Sequence, residues 1–111
     1  GTEEQTMDFW GIEIPAGRKA KYTVPENQIL NISGATLICA DAKTGKNAGG
    51  QHLVKCNNTV VCALREKICE NAPLALLLPK GTVLTLTGSK THKVCLSGYL
   101  AADPEVDDED D

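Results

Sequence analysis

Asp8-Phe9-Trp10-Gly11-Ile12-Glu13-Ile14 is the stretch whose reading decides the fold. From Phe9 it alternates: Phe9, Gly11 and Glu13 fall on one side, Trp10, Ile12 and Ile14 on the other. A period of two is the signature of a β-strand. The Trp10/Ile12/Ile14 side is expected to face a core, and it holds the only Trp of a chain with one Phe and two Tyr. A Trp brings more buried area than any other side chain available here. The pattern alone therefore predicts an N-terminal core strand with one apolar side.

Beyond this strand, short apolar or alternating runs recur between turn residues. Pro15-Ala16-Gly17 turns. Arg18 to Val24 reads as a short polar strand, stopped by Pro25-Glu26-Asn27. Gln28 to Ala40 is long and β-branched, with Ser33-Gly34 marking a bulge or bend in its middle. Asp41 to Gly50 reads as a flexible loop. Gln51 to Cys56 and Thr59 to Arg65 flank Asn57-Asn58, the pattern of a tight hairpin. On the second run Val60, Cys62 and Leu64 are expected to share a face. Glu66 to Ala72 reads as a helical turn or a loop. Leu74 to Leu78 is apolar on both faces, so burial on both is expected. Val83 to Thr87 and Val94 to Leu100 complete the set, separated by Gly88-Ser89-Lys90. About eight short strands with Gly, Pro and Asn turns imply an all-β sandwich or barrel. That number of strands in a chain of this length suits a jelly roll. The double-sided apolar runs point to an outer face covered by other subunits, or to ordinary packing of sheet on sheet.

The 111 residues suit one domain, with a core expected over 7–102. Residues 1–6 read as an expression remnant or a disordered N-terminus, with Met7 as the native start. No apolar run approaches the roughly 18 residues of a membrane-spanning helix, and no signal-peptide pattern is present, so no membrane partner is expected. Charge is unevenly placed. Seven of the fifteen acids lie in 103–111: Asp103, Glu105, Asp107, Asp108, Glu109, Asp110 and Asp111. The preceding residues hold eight acids against eleven Lys and Arg. A mildly basic body with a strongly acidic, disordered end calls for a basic partner at that end. Nucleic acid is not that partner, because phosphate repels the acids. Each exposed ion pair contributes only about 0.2–1 kcal/mol, so useful affinity needs many charges or many copies of the tail on one assembly.

Little in the chain reads as catalytic. The five cysteines, Cys39, Cys56, Cys62, Cys69 and Cys95, are odd in number and lack CxxC spacing, so they read as reduced thiols. His52 and His92 are the only histidines, and neither has a Cys or a carboxylate at ligand spacing, so no metal site and no cofactor are expected. His52 and Cys56 would lie about 13 Å apart along a strand, too far for a nucleophile and its base. Thr44-Gly45-Lys46 lacks the context of a phosphate-binding loop. Lys19 and Lys21 read as a solvated strand face.

The order of elements resembles the nucleoplasmin-like domain family. Asp8 to Ile14 is similar to the opening of such domains in nuclear FKBP-type prolyl isomerases and plant HD-tuin histone deacetylase-like proteins, which begin Met-(Asp/Glu/Gly)-Phe-Trp-Gly. Gln28 to Leu37 resembles the family's second landmark strand. Val94-Cys95-Leu96-Ser97-Gly98-Tyr99-Leu100 resembles its last, with the acidic run following where the family's acidic tract begins. The resemblance implies an eight-stranded jelly roll that forms a pentameric ring or a stacked decamer. It implies a nuclear or nucleolar histone chaperone whose acidic tract shields core histones. Carried onto this chain, the histone-contacting residues are Asp107, Asp108, Glu109, Asp110 and Asp111, with Asp103 and Glu105 beside them. The HD-tuin pattern places a His, proposed as catalytic, on the second landmark strand; this chain has Asn31 there, which argues against a deacetylase. The rival expectation is a purely architectural module that oligomerises a downstream domain.

Overall fold

The computed structural model describes residues 7–39 and 50–103. These residues form eight strands: β1 Met7–Ile14, β2 Lys19–Thr23, β3 Gln28–Ile38, β4 Gln51–Cys56, β5 Thr59–Arg65, β6 Asn71–Leu78, β7 Val83–Thr87 and β8 Lys93–Ala102. They make two four-stranded antiparallel sheets, one ordered β1-β8-β3-β6 and the other β2-β7-β4-β5. This is a jelly-roll sandwich, as the spacing of strands and turns predicts. The expected loop at 41–50 falls outside the described residues except for Gly50.

The opening strand behaves as its alternation requires. Trp10 and Ile14 are buried and Ile12 packs against the same core, while Phe9, Gly11 and Glu13 point outward. Trp10 crosses the sandwich to meet Tyr22 of β2 edge-on, with ring centroids 5.3 Å apart. Across from Trp10 on β8 lies Gly98, and across from Gly98 on β3 lies Ile32. The Ser33-Gly34 irregularity is a bulge: Ile32 pairs with Gly98 and Gly34 with Ser97, leaving Ser33 as the extra residue. The bulge brings the β3 backbone hard against β8. A side-chain carbon added at Gly98 would overlap the Asn31 carbonyl oxygen and touch the Ile32 Cα. Glycine is the residue that permits such an approach of two backbones.

The second sheet is tied by its hairpin. Asn57 and Asn58 both take positive φ, 50° and 74°, which a tight two-residue hairpin turn demands. Asn57 also acts as an added rung of the sheet. Its side-chain oxygen accepts the Thr85 N–H at 2.7 Å, its side-chain nitrogen donates to the Val83 carbonyl at 3.1 Å, and its own N–H donates to the Thr85 carbonyl at 2.9 Å. Leu84 and Leu86 of β7 are fully buried between the sheets. Each contributes about 1.5–3 kcal/mol by burial.

Two expectations from the alternation fail, each for a visible reason. Val60 does not share a face with Cys62 and Leu64. A bulge on β5 skips Val61, so Cys62 pairs with the inward Val54 while Val60 pairs with Lys55 and is 48% exposed. Leu74 to Leu78 is not buried on both sides. Leu74, Leu76 and Leu78 pack toward the core, but Leu77 is 64% exposed. β6 is an edge strand, which also explains how it accommodates Pro73, and none of the described residues covers Leu77 on its outer side. The 66–70 segment is a tight turn rather than a helical one. Lys67 takes a φ of 68°, and its N–H donates to the Glu70 carboxylate at 2.8 Å.

The contact at Gly98 gives a direct test. Gly98→Ala should destabilise the fold by about 3 kcal/mol or more, since backbone rather than a flexible side chain must yield. Gly11→Ala, where the added carbon meets only the Leu96 carbonyl oxygen at 3.4 Å, should cost far less. Urea unfolding of the two variants checks the contrast.

Candidate functional site

The outer side of the β1-β8-β3-β6 sheet is the first candidate. Antiparallel register sets Phe9, Tyr99, Asn31 and Leu77 in one row across all four strands. Met7, Ala101 and Ile29 form the next row. Residues directly opposite in such a ladder share a face. Phe9 is 98% exposed, Met7 63% and Leu77 64%. A contiguous apolar sheet face with a fully exposed Phe is a feature of interaction surfaces rather than of free ones.

The opposite sheet has a different surface. Its four strands carry no acidic residue, and Lys19 and Lys21 are exposed as expected. Lys19 and Lys55 lie in one row with Thr87 between them. A cleft of about 580 Å³ opens beside this row, lined by Arg18, Lys19, His52, Lys55, Ser89 and Lys90 among others.

A buried polar cluster closes one end of the sandwich, and spacing along the chain gives no sign of it. His52 faces inward from β4, Ser89 lies in the turn after β7, His92 immediately precedes β8, and Glu66 begins the turn after β5. Ser89 Oγ accepts the backbone N–H of Thr91 at 3.0 Å and of His92 at 2.8 Å. With both lone pairs engaged, its hydroxyl donates to His52 Nδ1 at 2.8 Å, which assigns the proton of that imidazole to Nε2. His52 Nε2 is buried with no partner among the described residues. Burial, and then the neighbouring His92, hold the His52 pKa below its ordinary value, with Glu66 opposing them. The two imidazoles pack at 4.6 Å between centroids. His92 Nδ1 meets Thr91 Oγ1 at 2.8 Å and its Nε2 meets Glu66 Oε1 at 3.2 Å.

The Ser89–His52 pair is not a nucleophile with its base. Both residues are buried, both acceptor sites of the serine are taken by backbone N–H groups, and no group orients the far nitrogen of His52. Four of the five thiols are also held back as nucleophiles: burial pushes the pKa values of Cys39, Cys56, Cys62 and Cys95 up. The fold does bring together three ligand-type groups that are remote in sequence. One ligand atom each of Cys39, Glu66 and His92 lies within 4.8 Å of the others.

Comparison with known proteins settles the family. Residues 9–101 match the family described as Nucleoplasmin-like domain. The chain belongs to the nucleoplasmin-like family. Nucleoplasmin-like structures from Drosophila share its fold. One is the crystal structure of the NLP core, solved for insight into pentamer formation and histone binding; it is 17% identical with a TM-score of 0.63, over 87% of this chain and 98% of that one. Another is the nucleoplasmin-like N-terminal domain of FKBP39, 19% identical with a TM-score of 0.62, over 98% of this chain and all of that one. No curated protein matches the chain in sequence.

Within this nucleoplasmin-like domain, the residues expected to contact histones are mostly beyond description. Glu105, Asp107, Asp108, Glu109, Asp110 and Asp111 lie outside the described residues. Asp103 is described: its N–H donates to the Asn27 carbonyl at 3.1 Å, which fixes where the acidic run leaves the sandwich. Asn31, where the HD-tuin pattern has its His, stands in the outer row between Tyr99 and Leu77, whereas His52 and His92 are buried.

The polar cluster is structural by this geometry, and Ser89→Ala should show it. Removing the hydroxyl strips two backbone N–H groups and His52 Nδ1 of their partner. The expected cost is about 2–3 kcal/mol in urea unfolding, larger than for Ser97→Ala on the outer face.

Proposed function

We propose that the chain is a ring-forming, non-catalytic module that chaperones core histones in the nucleus, the nucleolus included. The observation that carries this reading is the outer row Phe9, Tyr99 and Leu77, an apolar face that none of the described residues covers. A second copy of the chain is the cover proposed, in a homopentamer that can stack as a decamer. The pentamer formation and histone binding ascribed to the Drosophila NLP core support both halves of the reading.

The chemistry of the second half is charge. Seven acids at 103–111 make a weak ligand for Lys- and Arg-rich histones when single. A ring turns one weak tail into several at high effective concentration, so avidity replaces affinity per contact. The anchored Asp103 holds each tail to a defined point at the end of β8. A second reading, an architectural module that oligomerises a larger protein, needs the apolar face but not the tail.

Two experiments separate these readings. Phe9→Glu should reduce the solution mass to that of one chain while leaving circular dichroism unchanged; a ring that survives places the interface elsewhere. Deleting 104–111 should keep the ring but lower affinity for core histones by about tenfold or more at roughly 0.15 M salt. Undiminished binding would assign histones to the folded surface, and no binding by either form would leave the architectural role.

A further inference from the structure

From the cluster at the closed end of the sandwich we infer that Cys39, Glu66 and His92 form a three-ligand binding site for Zn²⁺. The three ligand atoms lie within 4.8 Å of one another, and each comes from a different part of the fold. Cys39 follows the end of β3, Glu66 lies in the turn between β5 and β6, and His92 sits immediately before β8.

The distances suit a tetrahedral ion. Two N or O ligands on one Zn²⁺, each bonded at about 2.0–2.1 Å, stand about 3.3 Å apart. His92 Nε2 and Glu66 Oε1 are already 3.2 Å apart. Only Cys39 has to close in, by about 1 Å at most for a Zn–S bond near 2.3 Å. The donor set also selects the ion. A thiolate and an imidazole disfavour Ca²⁺ and Mg²⁺, and mixed S, N and O donors in tetrahedral array suit Zn²⁺.

A second layer is in place around these donors. Ligation through Nε2 requires the His92 proton on Nδ1, where Thr91 Oγ1 at 2.8 Å can accept it. Thr91 is in turn tied to Ser89, whose hydroxyl also anchors the His92 backbone. His92 is 3% exposed, so its ring is held before any ion arrives. On binding, the Cys39 thiol loses its proton to solvent, and the thiolate and the Glu66 carboxylate offset the two charges of the ion. No redox change is involved. The ion would join β3 and β8 of one sheet to the end of β5 in the other, which makes it a cross-link between the sheets.

Co²⁺ added to the reduced, metal-free chain tests the site, because a thiolate on tetrahedral Co²⁺ gives a near-ultraviolet charge-transfer band and strong visible bands. The expected result is one Co²⁺ per chain, both bands present, and displacement by equimolar Zn²⁺. Cys39→Ser should abolish the near-ultraviolet band, while Cys69→Ser should keep it. Glu66→Gln should weaken Zn²⁺ binding at least about tenfold, since loss of even an outer partner of a ligand costs that much. Circular dichroism confirms that each variant is folded. Absence of the charge-transfer band from the unaltered chain overturns the site, and so does a band that survives Cys39→Ser.

Discussion

The contact on which the rest of the structure depends is the approach of two backbones at Gly98. β8 pairs with β1 on one side and β3 on the other, and the β3 bulge presses into the space a side chain would fill. That fit is possible at one register only. A slip of one residue in a strand sends every side chain to the opposite face. The same contact therefore places Trp10 in the core against Tyr22 and Phe9 in solvent. Core and exposed apolar face are two sides of one register.

The far end of the sandwich is held by different physics. Buried hydroxyl and imidazole groups are costly there unless each finds a partner. Ser89 meets most of that demand with a single oxygen, serving two backbone N–H groups and His52. Among the described residues two buried nitrogens, His52 Nε2 and Arg65 Nε, have no partner. The arrangement resembles a catalytic pair at first sight, yet the serine oxygen is already engaged by two backbone N–H groups and His52. What it does is join the β7–β8 turn to β4, and through His92 and Glu66 to the end of β5.

Much of the fold was legible because period two and turn chemistry are local signals. The strand from Met7, the Asn57-Asn58 hairpin and the Ser33-Gly34 bulge can each be read from a few neighbouring residues. The failures come from what lies beside a strand rather than within it. Leu77 is apolar but points outward from an edge strand, and none of the described residues covers it. Val60 was displaced by a bulge at Val61 that carries no Gly or Pro to announce it. The cluster of Cys39, Glu66 and His92 was illegible because ligand spacing is informative only when ligands are close in sequence, and here the two sheets bring them together. The acidic run, by contrast, was plain in the composition, and its seven charges needed no fold to be read.

Assembly links the fold to its proposed work. The apolar row across β1, β8, β3 and β6 has no cover among the described residues, and the proposed ring of identical subunits would cover it by repeating one contact. The same repetition would multiply the acidic tail. Light scattering of the unaltered chain in solution tests this most directly. The account predicts about 59 kDa, five chains of 11.8 kDa, or twice that for a stacked pair of rings, stable on dilution. A mass of one chain at every concentration would contradict it.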